Sequence, residues 1–283
     1  MLQIFENQLS LKSFRQSLLE KGQSLGFVPT MGALHSGHLA LIEKAIQEND
    51  QVICSIYVNP TQFNNSRDLQ KYPRDFENDI AQLKKFECVH VFLPNDQVMY
   101  PSPTLLKFDF GYLEHVMEGH FRPGHFNGVA LVVSKLFNLV KPHRAYFGQK
   151  DLQQTLIVHK LIQDLSFDLE LIVCPTIREE DGLAMSSRNR RLSPSERIEA
   201  RVIPYSLFEA KEMLQSQKGD IASAKALVRK NFENGGLKIE YFEIVDRFTL
   251  LPIQNIKDSK EVALCLVAYL GEVRLLDNVI FEV

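Results

Sequence analysis

The chain has 283 residues with 45% apolar side chains, enough for one large domain or two ordinary ones around a sizeable core, and it is excluded from the disordered class. A formal charge of -3 with no long basic run lacks the electrostatic footprint of a dedicated nucleic-acid binder, so the expected partners are small molecules. No basic start leads into an apolar stretch and nowhere do about eighteen apolar residues run together, which predicts neither secretion nor membrane insertion.

Leu11, Phe14 and Leu18 stand at helical spacing after Ser10, with Gly22 as a stop, and predict a first helix. Strand and helix then alternate, with strands expected at 27–30, 52–58 and 89–93 and helices at 39–47 and 76–86. Val129, Val132, Val133, Leu136, Phe137 and Val140 lie on one face of a strong helix that Pro142 breaks. A short strand at 145–147, a helix at 155–165 and a strand at 169–174 follow. Such alternation predicts an α/β fold, a Rossmann-like parallel sheet domain with helices on both faces, over residues 1–176.

After Pro175 the pattern changes. Ser193 and Pro194 open a helical region, a helix covers 221–232, and strands are expected at 239–245, 262–269 and 273–276. This predicts a second, smaller α+β domain over residues 177–283, joined without a Gly/Ser linker. Cys54, Cys88, Cys174 and Cys265 are widely spaced among apolar residues with no CxxC pair, and read as reduced core thiols of a cytoplasmic protein.

Residues 29–38, PTMGALHSGH, fall where the first strand of the alternation gives way to a helix. In a doubly wound sheet the ligand sits beyond the carboxyl ends of the strands, where helix N-termini present backbone N–H groups and a partial positive charge. Gly32 and Gly37 permit close backbone approach, and His35 and His38 can project to one side of the first helical turn, so phosphate oxygens are the natural partner. Zinc competes, but the pair has no nearby cysteine and lacks the glutamate of HExxH; capping or core filling is the plainer alternative. Neither GxxxxGK[ST] nor GxGxxG is present.

HSGH resembles the HIGH-type motif of the nucleotidyltransferase superfamily, and AMSSRN at 184–189 stands where a KMSKS-like loop is expected. YVNPTQF, YPR, RPGHFNGV, YFGQKDLQQ and PTIREEDGLAMSSRNRRLS narrow the resemblance to the pantothenate synthetase family from about residue 27 to 192, and IVDRFTL and RLLDN continue it weakly. The resemblance implies ATP-dependent condensation of pantoate with β-alanine through a pantoyl adenylate, with magnesium as cofactor and a homodimer as the assembly. It implies catalytic roles for His38, His35, Lys150, Ser186, Ser187 and Arg188. ATP contacts are implied along Met31, Gly32, Ala33, Leu34, Ser36 and Gly37 with the two histidines, and at Gly148, Gln149, Asp151, Ile177 and Met185.

Gln62 and Gln154 would bind pantoate or β-alanine, since an amide both donates to and accepts from hydroxyl and carboxylate groups. Asp79 and Gln82 match positions the resemblance associates with magnesium; without it they read as a surface i,i+3 pair on a helix. Asn78 and Gln149 depart from the more usual charged residues, and EGHF replaces a small-residue approach to RPGHF. The RPGHFNGV loop and the AMSSRN loop of the second domain are expected to act as a lid. Two rivals remain, a nucleotidylyltransferase that keeps a nucleotide on its product and a non-catalytic nucleotide sensor or RNA-binding relative. The blocks NPTQF and KDLQQ and the retained histidines, lysine and serine-arginine loop argue against them.

Overall fold

The computed structural model describes residues 2–216, 218–233 and 235–283, with Ser66 represented by its backbone. The chain divides into two compact units, one running to Gln149 and including Gln153–Pro175, the other formed by Lys150–Leu152 and Thr176–Val283.

In the first unit the elements follow in the order β1 (Ile4–Phe5), α1 (Gln8–Glu20), β2 (Leu25–Thr30), α2 (Ser36–Glu48) and β3 (Gln51–Ile56). Next come α3 (Ser66–Gln70), α4 (Phe76–Leu83), β4 (Val89–Phe92), α5 (Asp96–Met99), α6 (Met117–Phe121) and α7 (His125–Val140). The sheet is completed by β5 (Arg144–Gly148) and, after α8 (Leu152–Asp164), by β6 (Glu170–Cys174). Among the described residues six strands pair in the order β1-β4-β3-β2-β5-β6, every pairing parallel. The order reverses between β2 and β5, which is where a doubly wound sheet opens its ligand crevice.

Strand alternation sorts the core into two faces. Phe27, Ile53, Phe92 and Ala145 pack with Leu11 and Leu18 of α1, the apolar stripe of α7 and Val158 and Leu161 of α8. Val28, Cys54, Val91 and Tyr146 pack on the other face against Leu41, Ile42 and Ala45 of α2 and Ile80 and Leu83 of α4. The first helix starts before Ser10 because Asn7 is its cap, its side chain accepting the Ser10 N–H. The helix expected after RPGHF starts inside that motif, at His125, because Gly124 turns the chain with φ 78°. Strand β1 escaped the sequence reading because two residues carry no period.

The second unit holds α9 (Pro194–Ala200), α10 (Val202–Gln215), α11 (Ile221–Phe232) and the antiparallel strands β7 (Leu237–Asp246), β8 (Glu261–Leu270) and β9 (Val273–Glu282). Ala200, Leu207, Ala210, Val228 and Phe232 from the helices pack on Val262, Leu264, Leu266 and Val279 of the sheet. Strand β9 runs well past the expected 273–276 because Asp277 and Asn278 interrupt its apolar pattern while remaining in the ladder opposite Leu266 and Cys265. All four cysteines are free thiols, Cys54, Cys174 and Cys265 being buried and Cys88 half-buried. Among the described residues no helix is long and apolar enough to cross a membrane.

Candidate active site

At the carboxyl end of β2 the chain reverses into α2 through two left-handed residues, Gly32 at φ 79° and Ala33 at φ 51°. The turn is anchored from β3: the Thr30 hydroxyl donates to the Ser55 carbonyl at 2.7 Å and accepts the Gly32 N–H at 3.1 Å. His35, in extended backbone, is the N-cap of α2 and makes no side-chain capping bond; its carbonyl takes the N–H of His38 at 2.8 Å. The two rings stack with centroids 4.0 Å apart and 27° between planes, both half-buried. Two imidazoles thus stand together at the positive end of a helix dipole, a combination suited to a phosphoryl group.

The turn is held from the opposite side by α4. Asp79 is 1% exposed, and its two carboxylate oxygens accept the N–H of Ala33 at 2.9 Å and of Leu34 at 2.6 Å. The Gln82 side-chain amide donates to the Leu34 carbonyl at 3.3 Å. A Cβ on Gly32 would stand 2.9 Å from an Asp79 oxygen, so glycine is required here by contact as well as by φ. The expectation of a magnesium pair at Asp79 and Gln82 meets this geometry: each oxygen of the acid accepts one backbone N–H, and Gln82 donates through its nitrogen. Among the described residues no group of three or more His, Cys, Asp or Glu clusters at metal-binding distance, which bears on an all-protein cage and not on magnesium held largely by water and phosphate. A carboxylate oxygen has a second lone pair and Gln82 Oε1 is not the atom bonded to Leu34, so the pair retains the capacity to give one carboxylate and one amide oxygen to a water-rich magnesium shell. The surface reading of Asp79 fails because the side chain is buried.

Gln62 is 8% exposed and lies in the short turn Pro60–Gln62 after β3. Its orientation is set by Asn59, a residue that sequence reasoning quoted within NPTQF without giving it a role. Burial raises the Tyr100 hydroxyl pKa, and this hydroxyl donates to Asn59 Oδ1 at 2.8 Å. Asn59 Nδ2 is thereby turned toward Gln62 Oε1 at 3.1 Å and the Gly128 carbonyl at 3.2 Å. Gln62 is left presenting its amide N–H side, one N–H of which points at the Met31 sulfur at 3.0 Å. Below it the His125 ring bonds the Gln62 carbonyl through Nδ1 at 2.8 Å. A cavity of about 720 Å³ opens beside Met31, lined by Tyr57, Pro60, Leu69 and Phe76 and also by Arg74, Asp75, Asp79 and Asp96. Gln154 is half-buried on α8, next to Gln153, whose amide is spent on the Leu113 and Val116 carbonyls and the Glu118 N–H.

Two further groups of expected residues belong to the second unit. Gly148 ends β5, and after Gln149 the chain passes into this unit at Lys150 and Asp151, whose side chains approach to 3.5 Å. The Met185 N–H bonds the Ile177 carbonyl at 2.9 Å, so these two implied ATP contacts are neighbours. Ser186 caps the short helix Ser187–Arg191 by accepting the Arg188 N–H. Ser187 is 6% exposed, which leaves Arg188 the more accessible of the two. Asn189 is buried and braces the loop, donating to Glu179 at 2.5 Å and to the Ala184 carbonyl at 3.0 Å, while Arg197 pairs with Glu179 and with Asp181.

Residues 3–280 match the family model described as pantoate-beta-alanine ligase. The pantothenate synthetase of Bacteroides thetaiotaomicron is 45% identical, the match covering 94% of each chain. Among solved structures, the pantothenate synthetase of Thermus thermophilus superposes with a TM-score of 0.91 at 40% identity over 98% of this chain and 99% of that one. The pantoate-beta-alanine ligase of Francisella tularensis, solved with beta-gamma ATP and beta-alanine, gives 0.80 at 36% identity over 99% and 97%.

Proposed function

The chain belongs to the pantoate-beta-alanine ligase family, and on that premise we propose that it joins pantoate to β-alanine at the expense of ATP through a pantoyl adenylate, releasing AMP and pyrophosphate. The observation that carries this reading is the HSGH turn, two stacked imidazoles held at the N-terminus of α2 by a doubly anchored loop. In the first step a pantoate carboxylate oxygen attacks the α-phosphorus and the bond to the β-phosphate oxygen breaks. Negative charge builds on both sides of the transferred group, and fixed donors are what such a transition state requires.

His35 and His38 serve as those donors at the α-phosphate, with His38 closest to proton transfer. Lys150 binds phosphate as a point charge, and Ser186, Ser187 and Arg188 take the leaving pyrophosphate. Gln62 receives pantoate with the N–H side that Asn59 fixes outward, matching a hydroxyl or carboxylate oxygen. The apolar residues Tyr57, Pro60, Leu69 and Phe76 of the cavity beside Met31 suit the dimethyl-bearing carbon of pantoate, and its Arg74 suits a carboxylate. Gln154, outside that lining, is the second amide the family resemblance offers. In the second step the β-alanine amine, having shed its ammonium proton, attacks the acyl carbon, the bond from that carbon to the phosphate oxygen breaks, AMP leaves, and the nitrogen gives up a second proton to solvent as the amide forms.

A divalent cation bound with ATP would screen charge on the leaving pyrophosphate. Asp79 and Gln82, which also hold the 33–34 turn, are the side chains that would give oxygens to it, and no step runs through it.

The test is product analysis with ATP, magnesium and pantoate, with and without β-alanine, on wild type and His38→Ala. Pantothenate, AMP and pyrophosphate should form together only when β-alanine is present, and the rate should fall by about 10²–10⁴-fold in the variant. Formation of ADP, or adenylation of another acid while pantoate is ignored, would return the assignment to a nucleotidyltransferase of different substrate.

A further inference from the structure

The motif RLLDN at 274–278 has no place in the chemistry above, yet it puts two polar residues in the interior of β9, each 2% exposed. Their bonds reach both phosphate-directed segments of the second unit. Asn278 donates its side-chain amide to the carbonyl of Lys150 at 2.7 Å. Asp277 accepts two N–H bonds from the Arg178 guanidinium, at 2.7 and 3.0 Å, and the Asn278 carbonyl takes a third at 3.2 Å. Arg178 in turn donates to the Gly182 carbonyl at 3.0 Å, bridges to Ala184 at the head of the AMSSRN loop, and lies 4.9 Å from the ring centre of Phe208.

We propose that Asp277 and Asn278 are positioning residues, Asn278 fixing the backbone from which Lys150 reaches the ATP phosphates and Asp277 fixing, through Arg178, the base of the serine-arginine loop.

Three considerations carry it. Lys150–Leu152 pack with the C-terminal unit although the chain on both sides of them belongs to the sheet unit, so the lysine's location is set from β9 and not by β5 and α8 alone. A lysine stem is long and flexible, and holding the carbonyl at its root is the economical way to limit where its ammonium goes. Finally, a buried ion pair is a poor source of stability, because apolar residues of similar volume at such sites are often as stable or more so. The same strand could have continued Leu275–Leu276 with another aliphatic side chain. Burial pushes the Asp277 carboxyl upward in pKa, and the Arg178 and Lys150 charges pull it back, so the ammonium of Lys150 lies within the field of this acid.

The inference rests on the reading of Lys150 as a phosphate ligand, and a double-mutant cycle separates the two. Lys150→Ala, Asn278→Leu and the double variant are compared by pyrophosphate–ATP exchange in the presence of pantoate, by kcat/KM for β-alanine, and by thermal unfolding. Asn278→Leu should lower the exchange by about tenfold in the wild-type background and less than about twofold when Lys150 is already alanine. Its kcat/KM for β-alanine should stay within about twofold of wild type. Asn278→Asp, which keeps the shape but turns an acceptor toward the Lys150 carbonyl, is the second variant should leucine not fold, and should behave alike. Equal losses in both backgrounds, or parallel losses for exchange and β-alanine, would overturn the proposal while leaving Lys150 its role. Full exchange by Lys150→Ala would overturn that role and this inference with it.

Discussion

The imidazole of His90 on β4 lies in the interior against Phe14, 5% exposed, and its ring is held neutral by the bonds it makes. Nδ1 accepts the Gln3 N–H at 3.2 Å, which leaves Nε2 as the N–H that faces Gln51 Oε1 at 2.9 Å. Burial drops its pKa from 6.5 to about 4. A depressed folded-state value means stability that is complete above the unfolded value of about 6.5 and is lost as pH falls toward 4, at most about 3 kcal/mol in all. Denaturant unfolding between pH 7 and 4 should show this slope, and His90→Asn should flatten it.

Asp79 gives a second test at the same scale. Asp79→Asn keeps one acceptor and sets an N–H₂ against a backbone N–H, so it should cost about 1–3 kcal/mol and reduce adenylation. The magnesium concentration giving half-maximal rate should rise severalfold if Asp79 also ligates the metal, and an unchanged value would confine the acid to the turn. Residue types at the HSGH turn were legible because glycine and histidine carry their chemistry in their names. The employment of Asp79 was not, since an acid and an amide at i,i+3 look the same whether they face a metal, water or two backbone donors.

Among the elements, α7 shows how a motif becomes geometry. Gly128 in its first turns lies so close to the Pro60–Gln62 turn that a Cβ there would come within 2.2 Å of the Thr61 carbonyl oxygen. The Gly128 carbonyl also takes the Asn59 amide that orients Gln62. Gly128→Ala should therefore destabilise the fold by about 1–3 kcal/mol and raise KM for pantoate, because the helix must move away from the turn that carries Gln62. A loss confined to stability, with pantoate saturation unchanged, would detach Gln62 from the substrate. Periodicity found α7 and α11 because each has an unbroken apolar stripe, and α11 ends where its pattern ends, at Phe232. It cut β9 short at the Asp277–Asn278 pair, since polar residues inside a strand announce solvent unless their partners, here Arg178 and Lys150, are known.

At the scale of the molecule, an acyl adenylate must survive until the amine arrives, and water is its competitor. Binding of ATP with pantoate should slow hydrogen exchange in residues 122–129 and 184–189, read by mass spectrometry on the whole enzyme, and ATP alone should protect 184–189 less. Unchanged exchange in both segments would leave the intermediate guarded by something other than these loops. The α/β alternation and the change of character after Pro175 were legible because each follows from local pattern. That Lys150–Leu152 join the second unit was not, since it depends on contacts with a strand more than a hundred residues later.

That excursion bears on how such chains can be recombined. A crossover at Pro175 between two relatives would look clean on any linear map, yet it would inherit Lys150 from one parent and Asn278 from the other. Because the Asn278 amide bonds a main-chain carbonyl, which every residue carries, hybrids made there need an asparagine at 278 from the C-terminal parent and the 150 backbone held in the same place by the other. Two segments that touch, 150–152 and β9, are thus inherited separately, and shuffled libraries should be depleted of hybrids whose C-terminal parent lacks an asparagine at 278.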